Sequence, residues 1–236
     1  MPESTSPTAA DEPEPQGLDD PRALQILSTE HWSLLSARTL AYNEAFTRAG
    51  MFLAFLSMSF VGMALLAQGM SFDRTFLAVS AVVLAFDVII GLATFFRVAG
   101  CNFDDLRALH GMNRIRHGYV EIAPAVAPYF TTEYHDDPAS VYRNYGFTTM
   151  QRHWLQDLAH GLATTIGMVE LIVALLTGVL VVVVTLALDG PLWIAVAVAI
   201  VTAIVVLAAA MRWVVARAAT VAAELPVLFP ASDRPA

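Results

Sequence analysis

Asp87 stands in the run Leu84-Ala85-Phe86-Asp87-Val88-Ile89-Ile90, where a carboxyl group has no polar neighbour along the chain. In hydrocarbon a charged side chain costs about 2.5 to 3.5 kcal/mol unless it is neutralised, paired or turned towards water. Ser80, Gly91 and Thr94 fall at helical spacing with it and form a small, polar stripe. Glu170 repeats the pattern, with Ala163, Gly167, Ala174 and Thr177 on its stripe, and Ala195, Ala199 and Thr202 give a similar small face later in the chain. Carboxyl groups so placed bind or relay protons or small cations, and Asp87, Glu170, Ser80 and Thr94 are the candidates for such a path. The structural alternative is a protonated Asp87 hydrogen-bonded across helices, with Glu170 held in an ion pair. Arg97 lies ten residues from Asp87, about 15 Å along a helix, so Arg48 and Arg97 are expected to reach Glu170 instead.

Three further groups have ligand-like chemistry. His110, Arg114, His117 and Glu121 follow at steps of four, three and four and share one helical face. They suit an anion or a metal, or else form a solvated or subunit-facing polar stripe, because no cysteine or close carboxylate completes a tetrahedral set. His153, Asp157 and His160 also share a face, and two imidazoles with a carboxylate suit zinc or iron in type, although the spacing H-x3-D-x2-H is no standard metal signature. Glu133, His135, Asp136 and Asp137 read as loop. There is no G-x-S-x-G, Walker A, H-E-x-x-H or Gly-rich dinucleotide pattern, so the expectation is a protein that is not an enzyme and takes no cofactor.

The elements that must position these residues are unusually apolar. Of 236 residues, 57% are hydrophobic and 14% charged, too apolar for an ordinary water-soluble fold. The apolar residues bunch into runs of about 20, the length that crosses a hydrocarbon core of roughly 30 Å. Four such runs, at about 49–68, 76–98, 162–188 and 191–211, predict an all-α integral membrane protein with four transmembrane helices in two hairpins. The turns are Gly69 to Arg74 and Asp189-Gly190-Pro191.

The expected organisation is an acidic, proline-bearing disordered tail over 1–20, an amphipathic lead-in helix at the interface over 21–48 and a first hairpin over 49–98. A cytoplasmic helical segment over 99–160, a second hairpin over 161–212 and a C-terminal tail over 213–236 follow. Asp20 and Pro21 mark the start of the lead-in helix, and Asn102 is the expected N-cap of a separate helix running to Ile122. Pro124 and Pro128 stop that helix, and a loop is expected from Thr131 to Ser140. Cys101, the lone cysteine, is then a free thiol at the membrane boundary.

Arginine sets the orientation. Nearly all of it lies before the first run, between the hairpins or after the fourth run, and only Arg74 lies in a hairpin turn, so both termini and the central segment are predicted to be cytoplasmic. The absence of a basic segment followed by an apolar one at the start leaves the first span as the insertion signal. All 13 basic residues are arginine, a bias of GC-rich bacterial genomes that points to a bacterial inner (plasma) membrane. The net charge of −8, with no basic stretch carrying exposed aromatics, argues against nucleic acid as a partner. The lipid bilayer and further copies of the chain are the expected partners, since four helices alone enclose little room for a pathway. Two function classes remain: an oligomeric channel or transporter for protons or small cations, and a non-catalytic scaffold or sensor whose cytoplasmic segment binds a partner.

Overall fold

The computed structural model describes residues 17–145 and 161–231, apart from 19, 71 and 162. Among the described residues there is no strand, and four helices are long and apolar enough to cross a membrane. Helix α1 is Pro21–Met70 and α2 is Arg74–Ile122; a short 3-10 helix, Pro124–Tyr129, and α3, Pro138–Asn144, follow, then α4, Thr165–Ala187, and α5, Leu192–Glu224.

Each start has a local cause. Asp20 precedes Pro21 and accepts the amide of Arg22 at 2.8 Å, so an otherwise unpaired donor of the first turn is satisfied. Asp73 does the same for Phe76 at 2.8 Å, Asp137 for Ser140 at 3.0 Å, and Thr164 for Gly167 at 3.2 Å. The turn before α5 has Asp189 at φ 58, a left-handed conformation that Asp tolerates better than most residues.

Helices α1 and α2 lie antiparallel along their whole length. Hydrogen-bonded or ion-paired side chains progress in opposite directions along the two chains: Ser59 with Asp87, Glu44 with Arg97, Arg38 with Asp105. The rings of His31 and Tyr119 stack near the far end. The inward residues of α1 include Leu27, His31, Leu34, Arg38, Ala41, Ala45, Ala49, Phe52 and Leu56, at steps of three and four that keep one seam facing α2. At about 1.5 Å per residue the 50 residues of α1 reach roughly 75 Å, more than twice a hydrocarbon core. The excess is the polar half of the pair.

This continuity corrects two expectations. Residues 21–48 are the unbroken extension of the first apolar run, packed on α2, and not a separate lead-in helix. Asn102 caps nothing: α2 runs unbroken through it, because Phe103 packs on Trp213 and Asp105 on Arg38, so the packed seam continues past the apolar run. Cys101 is a free thiol, as expected, and lies buried in α2, where burial pushes its pKa up.

Helix α4 packs on α2 and α5, and Gly178 allows the Ala199 carbonyl to come within 3.2 Å of where a Cβ would stand. Helix α5 continues well beyond its apolar run, bringing Trp213 against Phe95, Phe96 and Phe103 at 5.1 to 6.1 Å between ring centres. The segment after it is not a simple tail either. Leu225 to Ala231 folds back as a strap over the polar half of α2.

Candidate functional site

Three helices converge at Asp87. Its side chain is 0% exposed; Oδ1 accepts from Ser59 Oγ at 2.9 Å, and Oδ2 has no hydrogen-bond partner. Ser80, two turns away on the same face, is buried with its hydroxyl equally unpartnered. One turn the other way, Gly91 leaves the space that the third helix needs: a Cβ there would stand 2.7 Å from Val173 Cγ2 and 3.0 Å from Phe52 Cζ. Thr94 is buried on the same face, but its hydroxyl donates to the Ile90 carbonyl at 2.8 Å within its own helix. The sequence did not single out Ser59, because a serine in an apolar run carries no signal until the opposite helix is known.

Glu170 is buried on α4 with Oε1 unpartnered. The expected arginine partners are elsewhere. Arg97 forms a two-pronged pair with Glu44 at 2.6 and 2.7 Å, and Arg48 reaches the same carboxylate at 3.4 Å. Glu44 intercepts them because it stands one helical turn before Arg48 and faces Arg97 across the α1–α2 seam. What remains at the bundle centre is a buried carboxyl group with one hydroxyl donor, and a second, unpartnered hydroxyl two helical turns away. The carboxyl group can accept, hold and release a proton, or present its oxygens to a small cation.

Compared with protein-family models, curated proteins and solved structures, the chain has no match. Its functional reading therefore rests on its own geometry.

The polar half holds a second set of buried groups that the sequence left in the background. Asp105 is buried between helices, where it accepts from Arg38 Nε at 2.5 Å, from the Tyr42 hydroxyl at 3.1 Å and from the Tyr145 hydroxyl. Burial, and then the Asp105 charge, push the Tyr145 hydroxyl far above the usual phenol range. Asn113 is 0% exposed with both its polar atoms bonded: it donates to the His135 carbonyl at 2.8 Å and accepts from Arg116 and Asn144.

Asp136, expected to be plain loop, is 0% exposed. It accepts from Arg114 Nε at 2.8 Å and from the backbone amides of Leu228 and Phe229 at 2.9 and 2.8 Å. Burial works to raise its pKa, yet the Leu228 amide, the Arg114 guanidinium and the Phe229 amide hold it below the ordinary carboxylate range.

The face of His110, Arg114 and His117 is therefore covered by the strap and the 131–137 loop and is not a solvated stripe. His110 is buried, its Nε2 without a hydrogen-bond partner and 3.7 Å from Asp136; His117 stacks on Phe229 at 4.3 Å and reaches Glu121 at 3.6 Å. Among the described residues no group of three or more His, Cys, Asp or Glu side chains could hold a metal. The candidate set His153, Asp157 and His160 lies outside the described residues.

Proposed function

We propose that the protein is a multi-pass membrane protein whose two antiparallel helix pairs insert as hairpins, and that Asp87 binds and passes a proton or a small cation. The observation that carries this reading is the state of Asp87, enclosed by three helices with one oxygen held by Ser59 and the other unpartnered. An unsatisfied carboxyl oxygen among apolar side chains is costly, and intramembrane acids persist where an ion or proton uses them. Glu170 is a second station on the adjoining helix.

The inventory of exposed side chains supports insertion. Ile89, Leu175, Ile200, Val201 and Ile204, all within the apolar runs, lie on the outer surface, where a bilayer would take them from water. The arginine distribution favours cytoplasmic termini and a plasma-membrane location of bacterial type. Assembly of several copies is favoured by the exposed Leu24, Trp32, Leu35 and Leu40 on the polar half of α1, beyond the apolar run.

The test is ion flux in proteoliposomes under a proton or monovalent-cation gradient, comparing wild type with Asp87→Asn at equal insertion. Flux abolished by the substitution supports the path; no flux in either protein removes it for those ions. A second reading, a non-catalytic scaffold or sensor acting through the polar half, is favoured by the closed assembly around Asp136. It expects Asp87→Asn to be silent and changes at His110, Arg114 and His117 to matter.

A further inference from the structure

Residues 225–231 are held by the polar half as a peptide ligand would be, mainly through the backbone. The amides of Leu228 and Phe229 donate to Asp136, that of Ala231 donates to Asp137 at 3.3 Å, and the Asp136 amide returns a bond to the Phe229 carbonyl at 3.2 Å. Arg114 donates both to Asp136 and to the Pro226 carbonyl, so one guanidinium joins α2, the loop and the strap. Pro226 and Pro230 flank the docked stretch and lack amides of their own, which limits its alternatives to extended backbone. The only aromatic side chain of the strap, Phe229, stacks on His117.

Beneath the strap is a cavity of about 20 Å³, large enough for one water. Leu106, Val141, Ala222, Leu225 and Val227 make most of its wall, and His110 and Asp136 are its polar groups together with the Tyr142 side chain. The charged and titratable groups around His110 are Arg114 on α2 itself, Asp136 on the loop and Tyr142 on α3; the strap adds the Pro226 carbonyl, which like Asp136 favours the charged ring but is outweighed by burial and Arg114, and α5 supplies only Ala222 there. A proton on His110 would thus enter a nearly dry space already holding the Arg114 charge. The Asp136 carboxylate opposes that penalty but is engaged by three donors.

We propose that the groove formed by His110, Arg114, His117 and the 131–137 loop is a docking site for the chain's own residues 225–231, and that protonation of His110 opens it. The direction follows from the two groups that titrate. Burial, and then Arg114, hold His110 below its ordinary 6.5 in the docked state, and Asp136 is held below its ordinary 3.8. A lowered pKa in the docked state means stability that is full above the undocked value and is lost as pH falls. His110 therefore weakens docking below about pH 6.5, and Asp136 only at far more acid pH. Opening would free the end of α5 from α2, the helix that carries Asp87.

Hydrogen exchange of the full-length protein in lipid nanodiscs tests this. After correction for intrinsic exchange, the Leu228 and Phe229 amides are expected to lose up to about tenfold of their protection between pH 7.5 and 5.5, the most that one such histidine supplies over that range. Amides in the buried middle of α2 are expected to hold theirs. In His110→Gln the loss is expected to vanish. Because that variant places a new polar group in the cavity, Asp136→Asn is measured beside it and is expected to lose Leu228 and Phe229 protection already at pH 7.5. Constant protection in the wild type, an equal loss in His110→Gln, parallel loss in the buried middle of α2, or full protection in Asp136→Asn would each overturn the proposal.

Discussion

Arg38 and Asp105 are 67 residues apart in the chain, yet their side chains meet at 2.5 Å in the seam between α1 and α2. Asp105 is almost fully enclosed and Arg38 about four-fifths so. A buried ion pair is weak evidence of stabilisation in itself, because both charges leave water, but removing one partner strands the other. Asp105→Asn is therefore expected to destabilise the protein by about 3 to 5 kcal/mol, whereas Tyr145→Phe, which removes one neutral donor from the same carboxylate, should cost about 1 to 2 kcal/mol. Equilibrium unfolding in mixed detergent micelles reads both, and equal small losses would show that the pair is solvated.

Gly190 and Arg74 contrast two kinds of contact at the opposite end of the molecule. Arg74 pairs with Asp189, but both side chains are more than two-thirds exposed, and such pairs contribute about 0 to 1 kcal/mol. Gly190 has no side chain, yet a Cβ there would meet the Thr185 carbonyl oxygen at 2.9 Å and Thr185 Cγ2 at 2.6 Å. Backbone cannot swing aside as a side chain can. Arg74→Ala is expected to leave the unfolding midpoint nearly unchanged, and Gly190→Ala to cost about 1 to 3 kcal/mol.

Much of the fold was legible because its signals are long and redundant. Four apolar runs with Gly and Pro breakers between them fix four helices, and Asp20-Pro21 fixes where the first begins. At Asn102 a local cap preference competes with helical phase, and phase wins. Continued through residue 102, the helical stripe of Val98, Cys101, Asp105, Leu109 and Met112 carries Asp105 inward and leaves Asp104 outside, as observed. The burial of Asp87 and Ser80 was readable from the same phase argument, but Ser59 was not, since cross-helix partners depend on register. Asp136 carried no local signal at all. Its burial arises from residues 92 and 93 positions away, and only the apolar, proline-flanked Leu225-Pro226-Val227-Leu228-Phe229-Pro230 hinted that the tail packs on something.

Ser59 supplies the sole hydroxyl hydrogen bond to Asp87 among the described residues. If Asp87 carries flux, Ser59→Ala should reduce it without abolishing it, by about fivefold if the bond contributes about 1 kcal/mol to the working state. Asp87→Asn should remove flux altogether. The comparison is made on proteoliposomes of matched protein content. Unchanged flux in Ser59→Ala would confine Ser59 to packing, and loss as complete as in Asp87→Asn would make the hydroxyl itself part of the path.

His31 gives a second acid-sensitive contact, independent of the strap. It faces Tyr119 in a stacked arrangement, its Nδ1 is buried without a partner, and burial, then the Arg116 charge, lower its pKa from 6.5. Arg116 has Asn113 as a hydrogen-bond partner and lies within electrostatic reach of Arg38. A proton on His31 therefore adds a third positive group to that side of the seam. Because the folded value is the lower one, the α1–α2 contact is at full strength above about pH 6.5 and weakens as pH falls through the folded pKa. His31→Phe keeps a ring against Tyr119 and removes the titration. The midpoint of thermal unfolding in detergent is expected to drop less between pH 7.5 and 5.0 in His31→Phe than in wild type. An identical drop in the two proteins would show that His31 stays solvated enough to titrate without consequence for the seam.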